Sequence, residues 1–209
     1  MIELINISKK INNNIIIDDV SCIFKSGMVY GIVGRNGSGK SMLFKIIAGL
    51  VTPTKGSVIV NSENIVKNQS FPKSTRAIIN SPNFLENETA YENLEMLASI
   101  ENIISKEDIE NMLKVFNLLD VKDELVKEYS LGMKQKLALV QVFMENPDII
   151  ILDEPFNSLD KKSVELLRDV IKEEKLKGKT IILSSHIKED IEILCDEIYN
   201  IDAGKIKKI

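Results

Sequence analysis

Gly34-Arg35-Asn36-Gly37-Ser38-Gly39-Lys40-Ser41 is the stretch that decides the fold: a glycine, four arbitrary residues, then Gly-Lys-Ser. Gly34, Gly37 and Gly39 let the backbone turn tightly, so that its N–H groups, including those of Asn36 and Ser38, face phosphate oxygens. Lys40 offers a mobile ammonium to β and γ phosphates, and Ser41 a hydroxyl to Mg²⁺. The pattern demands a strand before and a helix after. Residues 28–33 are apolar and β-prone, and 42–48 predict a helix closed by Gly49. Its N-terminus would face the phosphates. The competing reading, a glycine-rich turn that carries a lysine, explains neither flank.

The remainder of the chain bounds this reading. At 209 residues it can bury one sizeable core, and two independent domains would be cramped. Hydrophobic residues make up 44% and charged residues 28%, which fits a globular protein and not a disordered one. A formal charge of −4 supplies no broad basic field, so no nucleic-acid partner is expected. The apolar runs at 149–152 and 181–183 are strand-length, far short of the ~20 residues that span a bilayer. Met1-Ile2-Glu3-Leu4 lacks the basic and apolar regions of a signal peptide, which predicts a cytosolic location. Cys22 and Cys195 have no metal-ligand spacing and read as buried structural thiols.

Strands are predicted over 2–7 and 15–24, the second interrupted at Asp18-Asp19, with a turn at Asn12-Asn13-Asn14. Further short strands are expected over 57–60 and 76–79, the latter ending in Asn80-Ser81-Pro82. Thr89-Ala90-Tyr91-Glu92 and Ser105-Lys106-Glu107-Asp108 resemble capping boxes, and 84–146 reads as helical throughout. Its last helix starts near Ser130 and stops at Asn146-Pro147. Strands return over 149–152 and 180–184, with a helix between them bearing Val164, Leu167 and Ile171 on one face and closed by Gly178. A terminal hairpin is predicted over 198–209, turning at Ala203-Gly204. This alternation argues an α/β core with parallel strands and a helical insertion. The charge runs Lys161-Lys162, Glu173-Glu174-Lys175 and 205–208 read as solvated faces.

The strand Asp148-Ile149-Ile150-Ile151-Leu152 ends in Asp153-Glu154-Pro155. On a parallel sheet that end borders the ligand crevice. Asp153 would hold Mg²⁺ directly or through its water shell, and Glu154 would orient and deprotonate an attacking water. His186, the one histidine, follows another buried strand and so reaches the same edge, where it can donate to a terminal phosphate even when neutral.

Tyr129-Ser130-Leu131-Gly132-Met133-Lys134-Gln135-Lys136 resembles the signature of ATP-binding cassette (ABC) proteins, usually Leu-Ser-Gly-Gly-Gln. In order, 34–41 is similar to that family's Walker A, 149–154 to its Walker B, Ser158-Leu159-Asp160 to its D-loop, with Asp160 the acid, and His186 to its switch histidine. The resemblance spans almost the entire chain. It implies an α/β P-loop NTPase (RecA-like) core with an N-terminal antiparallel β subdomain and an inserted α-helical subdomain. The core would take 1–83 and 147–209, and the helical subdomain 84–146.

The resemblance also implies an ATP-binding and ATP-hydrolysing subunit using ATP and Mg²⁺, working at the cytoplasmic face of the cell membrane beside separate transmembrane permease subunits. The signature residues Ser130, Leu131, Gly132 and Met133 would meet the γ-phosphate held by a second ABC subunit, identical or different. Asn80 to Phe84 would be the hinge that reports nucleotide state. The wording Ser-Leu-Gly-Met-Lys-Gln resembles the exporters of the lantibiotic-immunity and bacitracin type, whose cargo would be a peptide antibiotic, a lipid or a drug. Three positions depart from the common pattern. Asn80 stands in place of the hinge glutamine as a shorter ligand for Mg²⁺ or its water; Ile11 replaces the adenine-stacking aromatic; Met42 replaces a second hydroxyl after Lys40. None touches Glu154 or His186, so hydrolysis is expected to survive. The alternative is a soluble cassette acting on ribosomes or nucleic acid, but those relatives usually carry two cassettes in one chain.

Overall fold

The computed structural model describes residues 1–80 and 83–209. Along the chain run β1 (Ile2–Ile11), β2 (Asn14–Phe24), β3 (Val29–Val33), α1 (Lys40–Ile47), β4 (Lys55–Val60), β5 (Glu63–Asn64), α2 (Ile65–Asn68) and β6 (Thr75–Ile78). Then come α3 (Ala90–Glu101), α4 (Lys106–Val115), α5 (Leu131–Phe143), β7 (Ile149–Leu152), α6 (Lys161–Leu176), β8 (Thr180–Leu183), α7 (Lys188–Leu194), β9 (Glu197–Asp202) and β10 (Lys205–Lys208). Two sheets result. One is antiparallel, in the order β2-β1-β4-β5; the other is six-stranded, in the order β10-β9-β3-β8-β7-β6, and every pair except β10 with β9 is parallel.

The parallel strands β7 and β8 are buried along their whole length, as a sheet covered on both faces requires. Their side chains alternate between two cores. Ile150, Leu152, Ile181 and Leu183 join the cluster on the side of α5 and α6, whereas Ile149, Ile151 and Ile182 join the cluster that contains α1 and the antiparallel sheet. Phe24 meets both Tyr30 and Tyr199 edge-on in the second core, with the Phe24 and Tyr30 rings 4.9 Å apart.

Several sequence expectations are corrected. β1 runs on to Ile11 rather than stopping at residue 7, and Asp18-Asp19 lies inside a continuous β2. What looked like a break is a kink in the paired strands, with register shifts along β1 and with Asn6 and Asp19 both left-handed at φ of 48° and 51°. The two side chains bond across it at 3.0 Å. Asn and Asp tolerate that backbone better than other residues with a side chain.

The stretch 84–146 is less uniformly helical than expected. Between α4 and α5 it makes two single 3₁₀ turns, and Thr89 bridges to Leu125. Both predicted capping boxes are present, Thr89 with Glu92 and Ser105 with Asp108. Buried Asn93 pins the non-helical approach, bonding Leu85 N–H, Leu85 C=O and Thr89 C=O. The helix after the glycine loop begins at Lys40, two residues earlier than predicted. Glu174 is not a solvated charge: only 7% exposed, it pairs with Lys177 and lies near buried Lys179. The sequence reading also left out α7. Cys22 and Cys195 are half-buried free thiols, and burial pushes both up to about 12, so neither carries appreciable thiolate at neutral pH. No helix among the described residues is long and apolar enough to cross a membrane.

Candidate ATP site

The glycine loop joins β3 to α1 across a backbone that only glycine tolerates. Gly39 caps α1 at φ 112°, and a Cβ on Gly34 would lie 2.2 Å from the Ile201 carbonyl oxygen. The β9–β10 turn braces the loop from behind. Gly204 N–H donates to Ser38 C=O at 3.2 Å, and Gly204 C=O accepts from Asp18 N–H at 2.9 Å. Leu43, Phe44, Ile46 and Ile47 bury one face of α1, fixing the helix whose N-terminus carries Lys40 and Ser41. Lys40 Nζ arches back over the loop, 2.8 Å from Gly34 C=O and 3.3 Å from Arg35 C=O.

The two acids sit beyond the end of β7, beside that helix. Asp153 accepts from Ser41 Oγ through Oδ2 at 2.5 Å and from Ser184 Oγ through Oδ1 at 2.7 Å. The Ser41 hydroxyl and the Asp153 carboxylate are the hard oxygen donors that Mg²⁺ takes, so the donor chemistry fits that ion. Glu154 stands at φ 53°, an uncommon backbone for a residue with a side chain. Its Oε2 accepts from His186 N–H at 3.1 Å, and the His186 ring nitrogen Nε2 lies 3.1 Å from Oε1 without hydrogen-bond alignment. A cavity of about 490 Å³ collects these groups, with Lys40, Ser41, Asp153, Glu154 and His186 on its wall. The same cavity is also lined from α5 and the turn that follows the acids, through Leu131, Gln135 and Ser158.

At the mouth of α5, Ser130 accepts from Met133 N–H at 3.2 Å and caps the helix. Leu131 beside it projects into solvent. Gly132 packs against the turn that carries Ser158: a Cβ there would meet Ser158 C=O at 2.8 Å. Gln135 ties the same helix to the acids by donating to Pro155 C=O at 3.0 Å.

The sequence profile described as ABC transporter matches residues 17–157. The chain belongs to this family. It is 41% identical to the ABC transporter ATP-binding protein YybJ of Bacillus subtilis, over 99% of this chain and 95% of that protein. The lantibiotic transport ATP-binding protein SrtF of Streptococcus pyogenes is 34% identical over 99% of this chain and 89% of its own length. Among solved structures, an ATP-binding subunit of an ABC transporter superposes with a TM-score of 0.91 at 28% identity, covering 100% of this chain and 89% of that one. The chain is therefore an ATP-binding and ATP-hydrolysing transporter subunit with the P-loop NTPase fold.

Within this ABC cassette the sequence-predicted residues divide by position. Asn36, Gly37, Lys40 and Ser41 line the cavity together with Asn80, Asp153, Glu154 and His186. Gly34, Ser38 and Gly39 shape the loop without lining the cavity, and Met42 packs in part against the core that contains α1. Ile11 stands exposed on the β1–β2 hairpin and does not line the cavity. Asp160 caps α6, accepting from Ser163 N–H at 2.8 Å, and this bonding to Ser163 holds its carboxyl below the usual carboxylate range. The hinge expected over 80–84 includes Ser81 and Pro82, which lie outside the described residues.

Two groups escaped the sequence reading. Ser184 links both acids, and Gln135, though inside the signature stretch, drew no role. A further network stands behind His186. Asp190, on α7, accepts from Arg168 of α6 through Oδ1, at 2.9 Å from Nε and 2.5 Å from Nη2, and from Ser185 Oγ through Oδ2 at 3.1 Å. Ser185 Oγ in turn accepts from Ile187 N–H at 3.0 Å, so hydrogen bonds through one serine hold both sides of His186.

Proposed function

We propose that this cassette pairs with a second ABC subunit around ATP and drives separate permease subunits that export a peptide antibiotic, a lipid or a drug. The observation that carries the hydrolytic part is the convergence of Lys40, Ser41, Asp153, Glu154 and His186 on one cavity. Support for the cargo class comes from the likeness to SrtF, a lantibiotic transport protein.

Lys40 and the loop N–H groups bind the β and γ phosphates. Ser41 and Asp153 hold Mg²⁺, with Asn80 at the edge of the same cavity as a ligand to the ion or its water. When bound, the ion neutralises charge on the phosphate oxygens. Glu154 orients the attacking water and takes its proton, and His186 donates to the γ-phosphate. The exposed end of α5, with Ser130 to Met133, completes the site of the opposite subunit, where its backbone N–H groups face the γ-phosphate.

The segment 84–146 forms the subdomain that reaches the permease at the inner face of the membrane, and 1–83 with 147–209 forms the nucleotide-binding body. A groove at the edge of α3 supports that placement. Ile100 lines it and is 76% exposed, and beside it Arg76 pairs with Glu101 and Glu145. Two measurements test the proposal. Lys40→Ala is expected to abolish binding of a fluorescent ATP analogue, and retained binding would remove the loop from the site. Purification from the native host is expected to bring down a polytopic membrane protein; recovery of ribosomal components alone would end the transporter reading.

A further inference from the structure

Ser184 lies directly after β8 and is 0% exposed. Its N–H donates to Leu152 C=O at 2.9 Å, which extends the parallel β7–β8 ladder one step beyond its last register pair and fixes the serine beside the acids. A hydroxyl has one hydrogen to give and two lone pairs to receive. Here the hydrogen goes to Asp153 Oδ1 at 2.7 Å, and a lone pair takes Glu154 N–H at 2.9 Å. Asp153 is thus held by an oxygen at each end, Ser41 of the glycine loop on Oδ2 and Ser184 on Oδ1. The bond to Glu154 N–H restrains the peptide that enters a left-handed residue, where the unaided backbone would relax.

We infer that Ser184 is a positioning residue whose single hydroxyl sets two acids at once, the Asp153 carboxylate and the backbone from which Glu154 projects. The Asp153 carboxylate cannot rotate, nor the Glu154 peptide shift, without breaking a bond to the same oxygen, and a polar group left unpaired in that position is costly. Ser184 thereby ties the side of the site that would hold the metal to the side that would handle the water. This inference rests on the roles proposed above for Asp153 and Glu154.

The test is Ser184→Ala in the full chain, a change that removes one oxygen and introduces no bulk. Turnover at saturating ATP is expected to fall about ten- to a hundredfold, the worth of a hydrogen bond to a charged group. ATP binding in EDTA is expected to be unchanged, since the loop and Lys40 are untouched. The Mg²⁺ concentration that half-maximally enhances ATP binding is expected to rise, because Asp153 loses a restraint. A general structural role would lower binding in EDTA alongside turnover, and that result, or turnover equal to the parent, would overturn the inference. Glu154→Gln measured in parallel separates the two layers. If it abolishes turnover while Ser184→Ala does not, only the positioning role fails; if it leaves turnover intact, the role of Glu154 fails first.

Discussion

Glu154→Gln is expected to lower ATP turnover by about 10²- to 10⁴-fold, the usual worth of a general base, while leaving ATP binding in place. The geometry gives the reason. Glu154 Oε2 accepts from His186 N–H, whereas Oε1 is buried beside His186 Nε2 with no aligned hydrogen bond among the described residues, so one carboxylate oxygen keeps its acceptor capacity. Glutamine keeps the size and the contact with His186 N–H but presents no charge to take the proton. The groups proposed to grip phosphate, Lys40 and the glycine loop, are left unchanged by this substitution, so affinity should survive. With hydrolysis blocked, ATP stays between two copies or two partners and the ATP-bound dimer accumulates. Single-turnover hydrolysis and size-exclusion chromatography with ATP and Mg²⁺ check both parts. An unchanged rate would sink the assignment.

The centre of this site was legible in the sequence because its parts are local. The 34–41 pattern states its own backbone, and the strand before it and helix after it can be read from periodicity. The acids at the end of β7 and His186 just past β8 follow from one rule about the carboxyl ends of parallel strands. Thr89 and Ser105 likewise announced their helices through contacts three residues away.

What escaped depends on register between distant segments. Ser184 reaches Asp153 only because β7 and β8 are adjacent and aligned at Leu152 with Leu183. The kink at Asn6 needs Asp19 opposite it, and Gly34 needs the Ile201 carbonyl in its place. Glu174 looked like surface charge because its neighbours are charged, but it is buried with its carboxylate 3.9 Å from the ammonium of Lys179, just before β8. The sequence signal for Ser184 was a polar pair, Ser184-Ser185, directly after a fully apolar strand. Such a pair at the ligand edge of a parallel sheet marks hydroxyls that must find buried partners.

The partner of the second serine gives the other large effect. Asp190→Ala is expected to destabilise the cassette by about 3 kcal/mol, the lower end for breaking a buried ion pair by removing one member. Asp190 is 0% exposed, and its carboxylate holds the Arg168 guanidinium, with the bonding to Asp190 raising the arginine further above its ordinary value. Without that carboxylate, Arg168 keeps, among the described residues, only Glu189 at 3.3 Å, whose side chain is largely in solvent and replaces little of the lost pairing. For a chain of this length the loss corresponds to a fall in melting temperature of about 6–12 °C. Asp190→Asn should lose less, because an amide oxygen can still accept from Arg168 or Ser185. Thermal melts of the two variants check the order, and an alanine variant that melts with the parent would show that the pair adds no net stability. The effect should also reach the site: Ser185 loses its acceptor, and with it the support for the turn that presents His186 to Glu154. Turnover of the folded Asp190→Ala protein below its melting range should therefore fall, while ATP binding through Lys40 persists.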